Sequence, residues 1–119
     1  MIITLYTEDF FNAAHLLKDY NGKCSEIHGH SWKVSLWIRG EESQKDKIGI
    51  LWDFNNLKNI IDQFDHKNLN NILPSNPTVE NITIFLYKQL KNDYPKLLFK
   101  VRVYENITKK ESFCEIGDF

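Results

Sequence analysis

The stretch HSWKVSLWI, residues 30 to 38, alternates between two kinds of side chain. One parity is apolar or aromatic apart from a single histidine, and it comprises His30, Trp32, Val34, Leu36 and Ile38. The other parity is polar except for Trp37. A period of two is that of a β-strand with one buried face, so this stretch requires a sheet with a core on one side.

Three further stretches have the composition of strands. Residues 2 to 14 are rich in Ile, Thr, Leu, Tyr and Phe, and residues 97 to 106 and 111 to 117 flank a predicted Thr-Lys-Lys turn. The polar run GEESQKDK predicts a hairpin-like loop. After this loop, residues 48 to 52 are expected to return as a short extended piece.

Two helices are predicted between these strands. Asp53 is a candidate N-cap for an amphipathic helix of about three turns, whose apolar positions are Leu57, Ile60, Ile61 and Phe64. Thr78 is a candidate N-cap for a second helix, whose apolar positions are Val79, Ile82, Phe85, Leu86 and Leu90.

The resulting element order, ββααββ, predicts an α+β fold in which an antiparallel four-stranded sheet carries both helices on one face. A chain of 119 residues suffices for one core, so residues 1–119 are expected to form a single domain. The opposite face of the sheet has no predicted cover although it carries apolar residues. Further copies of the chain would cover it, and we therefore expect a homo-oligomer.

The net charge and the N-terminal residues argue against nucleic acid or a membrane as a partner. The 15 Lys and Arg residues nearly balance the 16 Asp and Glu residues, so a net charge of -1 provides no broad field for nucleic acid or an anionic membrane. The start, MIITLYTEDFF, lacks the basic lead and the long apolar run of a signal peptide or membrane span. We expect a cytoplasmic protein with Cys24 and Cys114 reduced.

Histidines at alternate positions indicate a metal site. His28 and His30 lie two apart in a strand, so their side chains project to the same face with Cα atoms about 6.6 Å apart. Three protein nitrogens with one open position are a common catalytic zinc arrangement, and His15 is the natural third ligand. The alternative is that these are buried histidines satisfied by hydrogen bonds. The grouping of three of the four histidines around one predicted hairpin favours zinc.

Cys24 lies shortly before His28, and the spacing leaves three roles open for it: a fourth zinc ligand, a nucleophile or base beside the metal, or a small buried side chain. A site closed by one cysteine and three histidines would be structural and catalytically inert. Asp65 and His66 follow the first predicted helix, where a cationic histidine is favourable for electrostatic reasons alone.

Glu105 shares its parity with the apolar residues Phe99, Val101 and Val103, so its carboxylate needs a partner. One candidate is a flat ligand edge with two adjacent N–H donors, which a carboxylate binds bidentately. The other is a structural ion pair with a lysine or an arginine.

Together these residues resemble the family of 6-pyruvoyl- and 6-carboxy-tetrahydropterin synthases. The segments that carry the resemblance span nearly the whole chain: FNAAH (11 to 15), CSEIHGH (24 to 30), WDF (52 to 54), DHKNLN (65 to 70), PTVEN (77 to 81) and VYEN (103 to 106). Each is weak alone and the set is specific. The three residues between Cys24 and His28 are the short spacing of bacterial 6-carboxy enzymes. Val79 and Asn106 depart from the residues frequent at these positions.

The resemblance implies the tunnelling fold, in which ββααββ subunits form trimeric barrels that stack in pairs. It also implies a set of functional residues, namely His15, His28 and His30 for zinc and Cys24, Asp65 and His66 for catalysis. Glu105 would anchor the pterin ring, and Thr78 is a second candidate substrate-binding residue. The site would lie between subunits, with Asp65 and His66 serving a neighbour's zinc.

By the same resemblance, the substrate is 7,8-dihydroneopterin triphosphate and the products are 6-carboxy-5,6,7,8-tetrahydropterin, acetaldehyde and triphosphate, an early step towards the 7-deazaguanine of queuosine. The nearest alternative is 6-pyruvoyl-tetrahydropterin synthase, which eliminates triphosphate without C–C cleavage. An alternative from another class is a non-catalytic module with the closed zinc site. Several cations, including Lys18, Lys23 and Arg39, are equal candidates for binding triphosphate.

Overall fold

The computed structural model describes residues 1–108 and 110–119, so Lys109 of the predicted Thr-Lys-Lys turn lies outside the described residues. Two long strands, β1 (Ile2–His15) and β2 (His28–Glu41), pair antiparallel over their whole length. Their register places Ile2 opposite Glu41 at one end and His15 opposite His28 at the other. The even-numbered apolar residues of β2 are buried, which confirms the alternation seen in the sequence.

The other elements are α1 (Asn55–Ile61), β3 (Lys67–Asn68), α2 (Val79–Asp93), β4 (Leu98–Asn106) and β5 (Ser112–Gly117). The strand order in the sheet is β3-β1-β2-β4-β5. The described residues thus form five strands rather than the predicted four. The additional strand, β3, pairs parallel with only Ala13 and Ala14 of β1. A strand of two residues is too short to show an alternating sequence pattern, and it is defined only by its main-chain pairing. The sequence therefore could not predict it.

Two local predictions are wrong. Residues 48 to 52 form turns and bends rather than an extended piece, because the Asp46 carboxylate accepts the backbone N–H groups of Ile48 and Ile50 at 3.0 and 2.9 Å. Helix α1 has about two turns rather than three and is N-capped by Phe54. The predicted cap, Asp53, lies one residue earlier and accepts the N–H of Asn55 at 2.9 Å.

Both helices pack on the inner face of the sheet, where the core lies. Thr78 is the N-cap of α2, as predicted, and its hydroxyl accepts the N–H of Asn81 at 3.1 Å. The outer face leaves Tyr6, Phe10 and Phe113 each about half exposed, so the predicted uncovered face exists in the single chain. No helix in the described part of the chain has both the length and the apolar character needed to cross a membrane.

Candidate metal centre and active site

Three histidines converge at the end of the β1–β2 hairpin. His15 and His28 face each other across the strand pair, and their ring centroids are 4.5 Å apart. His30 lies two residues further along β2, with its ring 4.8 Å from that of His28 and 5.1 Å from that of His15. With Glu105 of β4, these side chains offer four ligand atoms that all lie within 4.8 Å of one another. The predicted trio is therefore assembled, and it gains a carboxylate.

Backbone carbonyls fix the orientation of two of these rings. His15 Nδ1 lies 2.8 Å from the carbonyl oxygen of Pro77, and His28 Nδ1 lies 2.8 Å from that of Glu26. A carbonyl only accepts, so each Nδ1 carries the proton and each Nε2 keeps a free lone pair. This arrangement is the usual outer support of a metal-binding histidine.

His30 and Glu105 complete the group. The Nε2 atoms of His30 and His15 lie 3.2 and 3.6 Å from Glu105 Oε1, yet neither buried nitrogen has a hydrogen-bond partner of acceptable geometry among the described residues. Burial lowers the pKa of His30, although Glu105 opposes the shift. The contact with His15 lowers the pKa of Glu105 more than burial raises it.

These directions favour a neutral His30 ring beside an ionised Glu105 carboxylate at neutral pH. Unprotonated imidazole nitrogens and a carboxylate oxygen are suitable ligands for a divalent transition metal. The two unpartnered Nε2 atoms also require some partner, because a buried polar atom without one is costly. The residues present therefore fit a metal ion, and the alternative of histidines satisfied by hydrogen bonds fails for these two nitrogens.

Cys24 lies outside this group of ligand atoms, among the residues that the structure describes. It occupies a single 3-10 turn, Lys23–Ser25, and is half-buried. Its carbonyl oxygen accepts the N–H of Leu17 at 2.7 Å. Among the described residues, Glu105 rather than Cys24 is the fourth residue whose ligand atom lies close to those of the three histidines, and Cys24 is a free cysteine.

Asp65 and His66 form a separate pair on the outside of the subunit. The Asp65 carboxylate accepts the N–H of Asn12 at 2.9 Å and contacts His66 Nδ1 at 2.9 Å. The Asn12 hydrogen bond, more than the one from His66, lowers the pKa of Asp65. His66 has a φ of 58° and a 79% exposed side chain. Because α1 ends at Ile61, a helix-dipole role for His66 is not supported.

The two candidate substrate residues differ in their relation to the metal group. Glu105 and His30 line a shallow cavity of about 240 Å³ together with residues of the β4–β5 connection. No lysine or arginine within residues 1–108 and 110–119 forms an ion pair with Glu105, so the structural-pair alternative is not supported. Thr78 follows Pro77, the residue whose carbonyl supports His15, and its hydroxyl is engaged in capping α2.

Sequence reasoning missed the supporting carbonyls of Glu26 and Pro77, because main-chain atoms leave no residue-type signal. It also missed that Glu105 faces the histidines. The parity of Glu105 in its strand showed that a partner was needed, but only the pairing of β4 beside β2 shows which side chains are near.

Comparisons with known proteins match the chain to one family of enzymes. The family model described as 6-pyruvoyl tetrahydropterin synthase matches residues 4–115. A Haemophilus influenzae protein named 6-carboxy-5,6,7,8-tetrahydropterin synthase is 30% identical, over 88% of this chain and 92% of its own length. A Pyrococcus furiosus protein named dihydroneopterin monophosphate aldolase is 35% identical, over 71% of this chain and 72% of its own length.

A solved structure gives the same result for the fold. The structure of Caenorhabditis elegans 6-pyruvoyl tetrahydropterin synthase superposes with a TM-score of 0.75 at 27% identity, covering 100% of this chain and 97% of that one. The predicted tunnelling fold is thereby confirmed, with the short strand β3 as an addition to the predicted sheet.

The assignment of the metal group predicts that substitutions of His28 and His66 affect metal binding differently. His28→Ala removes a ligand nitrogen and should weaken binding of a divalent metal at least about 100-fold, since even outer-shell changes cost 10- to 100-fold. His66→Ala is the matched control, because this fourth histidine lies outside the group, and it should bind metal like the wild type. Titration with Co²⁺, followed by its visible spectrum, measures both. Equal affinities for the two variants would contradict the assignment.

Proposed function

The chain belongs to the 6-pyruvoyl tetrahydropterin synthase family, and on that basis we propose that it is a zinc-dependent lyase that makes 6-carboxy-5,6,7,8-tetrahydropterin. The substrates are 7,8-dihydroneopterin triphosphate and one water molecule, the other products are acetaldehyde and triphosphate, and the step leads towards the 7-deazaguanine of queuosine. The observation that carries the proposal is the convergence of three histidine Nε2 atoms beside Glu105, with the Cys24 turn next to them in the chain.

Zinc is the metal that the donor set favours, because three imidazoles with an open position are a frequent catalytic zinc site. His15, His28 and His30 would hold it, and when bound it would supply Lewis-acid polarisation of the substrate's side-chain hydroxyls. Cys24, as a thiolate, removes a proton from the carbon beside the pterin ring. Asp65 orients His66, which exchanges a second proton with a side-chain hydroxyl as triphosphate leaves and the C–C bond breaks.

Glu105 anchors the pterin in this proposal. An ionised carboxylate accepts two parallel hydrogen bonds from adjacent ring N–H groups, and the lowered pKa of Glu105 keeps it ionised. Its nearness to His15 and His30 raises a second possibility, that Glu105 is itself a metal ligand. Thr78 is a proposed substrate contact through its backbone or hydroxyl at the start of α2.

Two other activities within the family are alternatives. The C. elegans structure is that of a 6-pyruvoyl tetrahydropterin synthase. The 6-pyruvoyl reaction keeps all three side-chain carbons of the substrate. The P. furiosus relative is named as an aldolase of a monophosphate. The three-residue spacing between Cys24 and His28 favours the 6-carboxy reaction. Mass analysis of the pterin product, with an assay for acetaldehyde, separates the 6-carboxy from the 6-pyruvoyl reaction after incubation with dihydroneopterin triphosphate. A second incubation, with dihydroneopterin monophosphate, tests the aldolase activity.

We also propose that the active site is shared between subunits of a dimer of trimers. Most of β1 and all of β5 are sheet edges in the described chain, and the two strands run in opposite directions. Antiparallel pairing of β5 with a neighbour's β1 would therefore close a ring in which every site faces the same end. Because Asp65 bonds to Asn12 of β1, the neighbour's His66 would then approach the Glu105 end of β4.

Cys24→Ala tests the proton-transfer role. Turnover should fall about 10²- to 10⁴-fold, the usual loss for a positioned acid or base, while zinc content and pterin binding are retained. Cys114→Ala, which removes the other thiol, is the control and should keep nearly full turnover in the product assay. Loss of zinc from Cys24→Ala would point to the closed structural site instead.

Glu105→Gln separates the two roles of this carboxylate. As a pterin anchor it should lose roughly 2–3 kcal/mol of binding energy, because the amide presents a donor to the ring's own N–H groups. Zinc content should stay at one ion per subunit, measured by atomic absorption, with pterin affinity measured by fluorescence titration. A loss of zinc at unchanged pterin affinity in the loaded fraction would make Glu105 a metal ligand.

Mixed oligomers test the shared site. Cys24→Ala and His66→Ala should each be inactive alone, whereas co-refolding equal amounts should restore activity in about one quarter of the sites, since random neighbours then combine an intact Cys24 with an intact His66. Turnover of the mixture is compared with that of each variant refolded alone. No recovery from co-refolded material that sediments as an oligomer would place both residues in one subunit.

A further inference from the structure

After His15 the chain no longer pairs with β2. Two asparagine side chains instead form hydrogen bonds with the backbone of the residues that follow. Asn70 Oδ1 accepts the N–H of Leu16 at 2.9 Å, and Asn70 Nδ2 donates to the carbonyl of Leu16 at 3.0 Å. Asn76 repeats the pattern two residues later, with 2.9 Å to the N–H of Lys18 and 2.8 Å to its carbonyl. Alternate residues of an extended segment thus have both main-chain groups satisfied by side-chain amides.

An amide side chain can do this because it offers one acceptor and one donor side by side, as the edge of a neighbouring strand does. The two asparagine side chains therefore form the hydrogen bonds that a neighbouring β-strand would otherwise form with residues 16 to 18. Leu16 and Leu17 are only half-buried and residues 18 to 23 are exposed, so no fully buried apolar side chain anchors this segment. The path of this segment depends on the four amide hydrogen bonds.

The opposite edge of the same segment carries Cys24. Between the two paired residues, the N–H of Leu17 donates to the carbonyl of Cys24 at 2.7 Å. The remaining backbone bonds of the cysteine's turn are internal to it, such as that from the Ser25 N–H to the Gly22 carbonyl at 3.1 Å. Besides the short connection that enters β2 at His28, the Leu17 hydrogen bond is thus the described backbone–backbone hydrogen bond that ties the Cys24 turn to the rest of the subunit.

Asn76 also adjoins the metal group. Its neighbour Pro77 is buried and accepts the hydrogen bond from His15 Nδ1, and the Asn76 carbonyl is fixed by the side chain of Asn81 at 2.8 Å. One rigid segment therefore sets both the His15 ring and, through residues 16 to 18, the Cys24 turn. A common support of this kind keeps the distance between a metal ligand and a reactive group constant.

We propose that Asn70 and Asn76 are positioning residues that hold the Cys24 turn at its working distance from the metal-binding histidines. The inference rests on the proposed function, in which the Cys24 thiolate transfers a proton. Neither asparagine contacts the reacting atoms in this assignment. Both act through the backbone of residues 16 to 18.

Asn70→Ala and Asn76→Ala test the proposal, with Asn71→Ala and Ser75→Ala as matched controls, because these exposed residues adjoin the two asparagines. Alkylation by iodoacetamide is measured in the zinc-free protein by peptide mass spectrometry, with Cys114 as the internal reference. Loss of two hydrogen bonds should speed Cys24 alkylation about 10-fold relative to Cys114. In the zinc-loaded protein kcat should fall about 10-fold, with KM within about twofold and zinc retained.

Asn70→Asp keeps the acceptor for the Leu16 N–H but sets a carboxylate oxygen against the Leu16 carbonyl oxygen, so its kcat should fall at least as far as that of Asn70→Ala. Equal acceleration at both cysteines, loss of zinc, or wild-type kcat in both alanine variants would overturn the proposal. Absence of turnover in the wild type would contradict the proposed function, whereas the alkylation ratio would still decide whether the asparagines hold the Cys24 turn.

Discussion

The metal group depends on one structural constraint, the register of β1 against β2. His15 stands opposite His28 only because the two strands of 14 residues pair without a shift. A slip of one residue would turn one strand's histidines to the outer face, since side chains alternate along a strand. The register is fixed by burial elsewhere in the hairpin, for example by Phe11 stacked on Trp32 at 5.9 Å. Apolar packing therefore determines where the polar ligands meet.

Burial then gives the group its chemical character. His15 is 1% exposed. Desolvation lowers the pKa of His30, which favours the neutral form of that ring. The ionised Glu105 beside it supplies a negative charge without a lysine or arginine among its described ion-pair partners. Lone pairs and a carboxylate directed at one point attract a cation, and backbone carbonyls on the far side of two rings prevent them from rotating away.

Most of the fold could be predicted from periodicity because one face of each long element is buried and the other is not. The four principal strands and both helices were placed in this way, as was Thr78 at the start of α2. Predictions failed where local hydrogen bonds rather than burial decide the conformation. Asp46 folds residues 48 to 52 into turns, and β3 arises from contacts of two residues that follow the left-handed His66.

The sequence by itself determined which side chains share a face: His28 with His30, and Glu105 with the apolar residues of its strand. It also carried the family resemblance that the comparisons confirmed. Only the tertiary structure decided that Glu105 faces the histidines, that the carbonyls of Glu26 and Pro77 orient their rings, and that Asn70 and Asn76 pair with the chain leading to Cys24. The physical reason is that periodicity specifies only the direction of a side chain relative to its own strand. Contacts between residues more than 50 positions apart in the sequence depend on how separate elements pack.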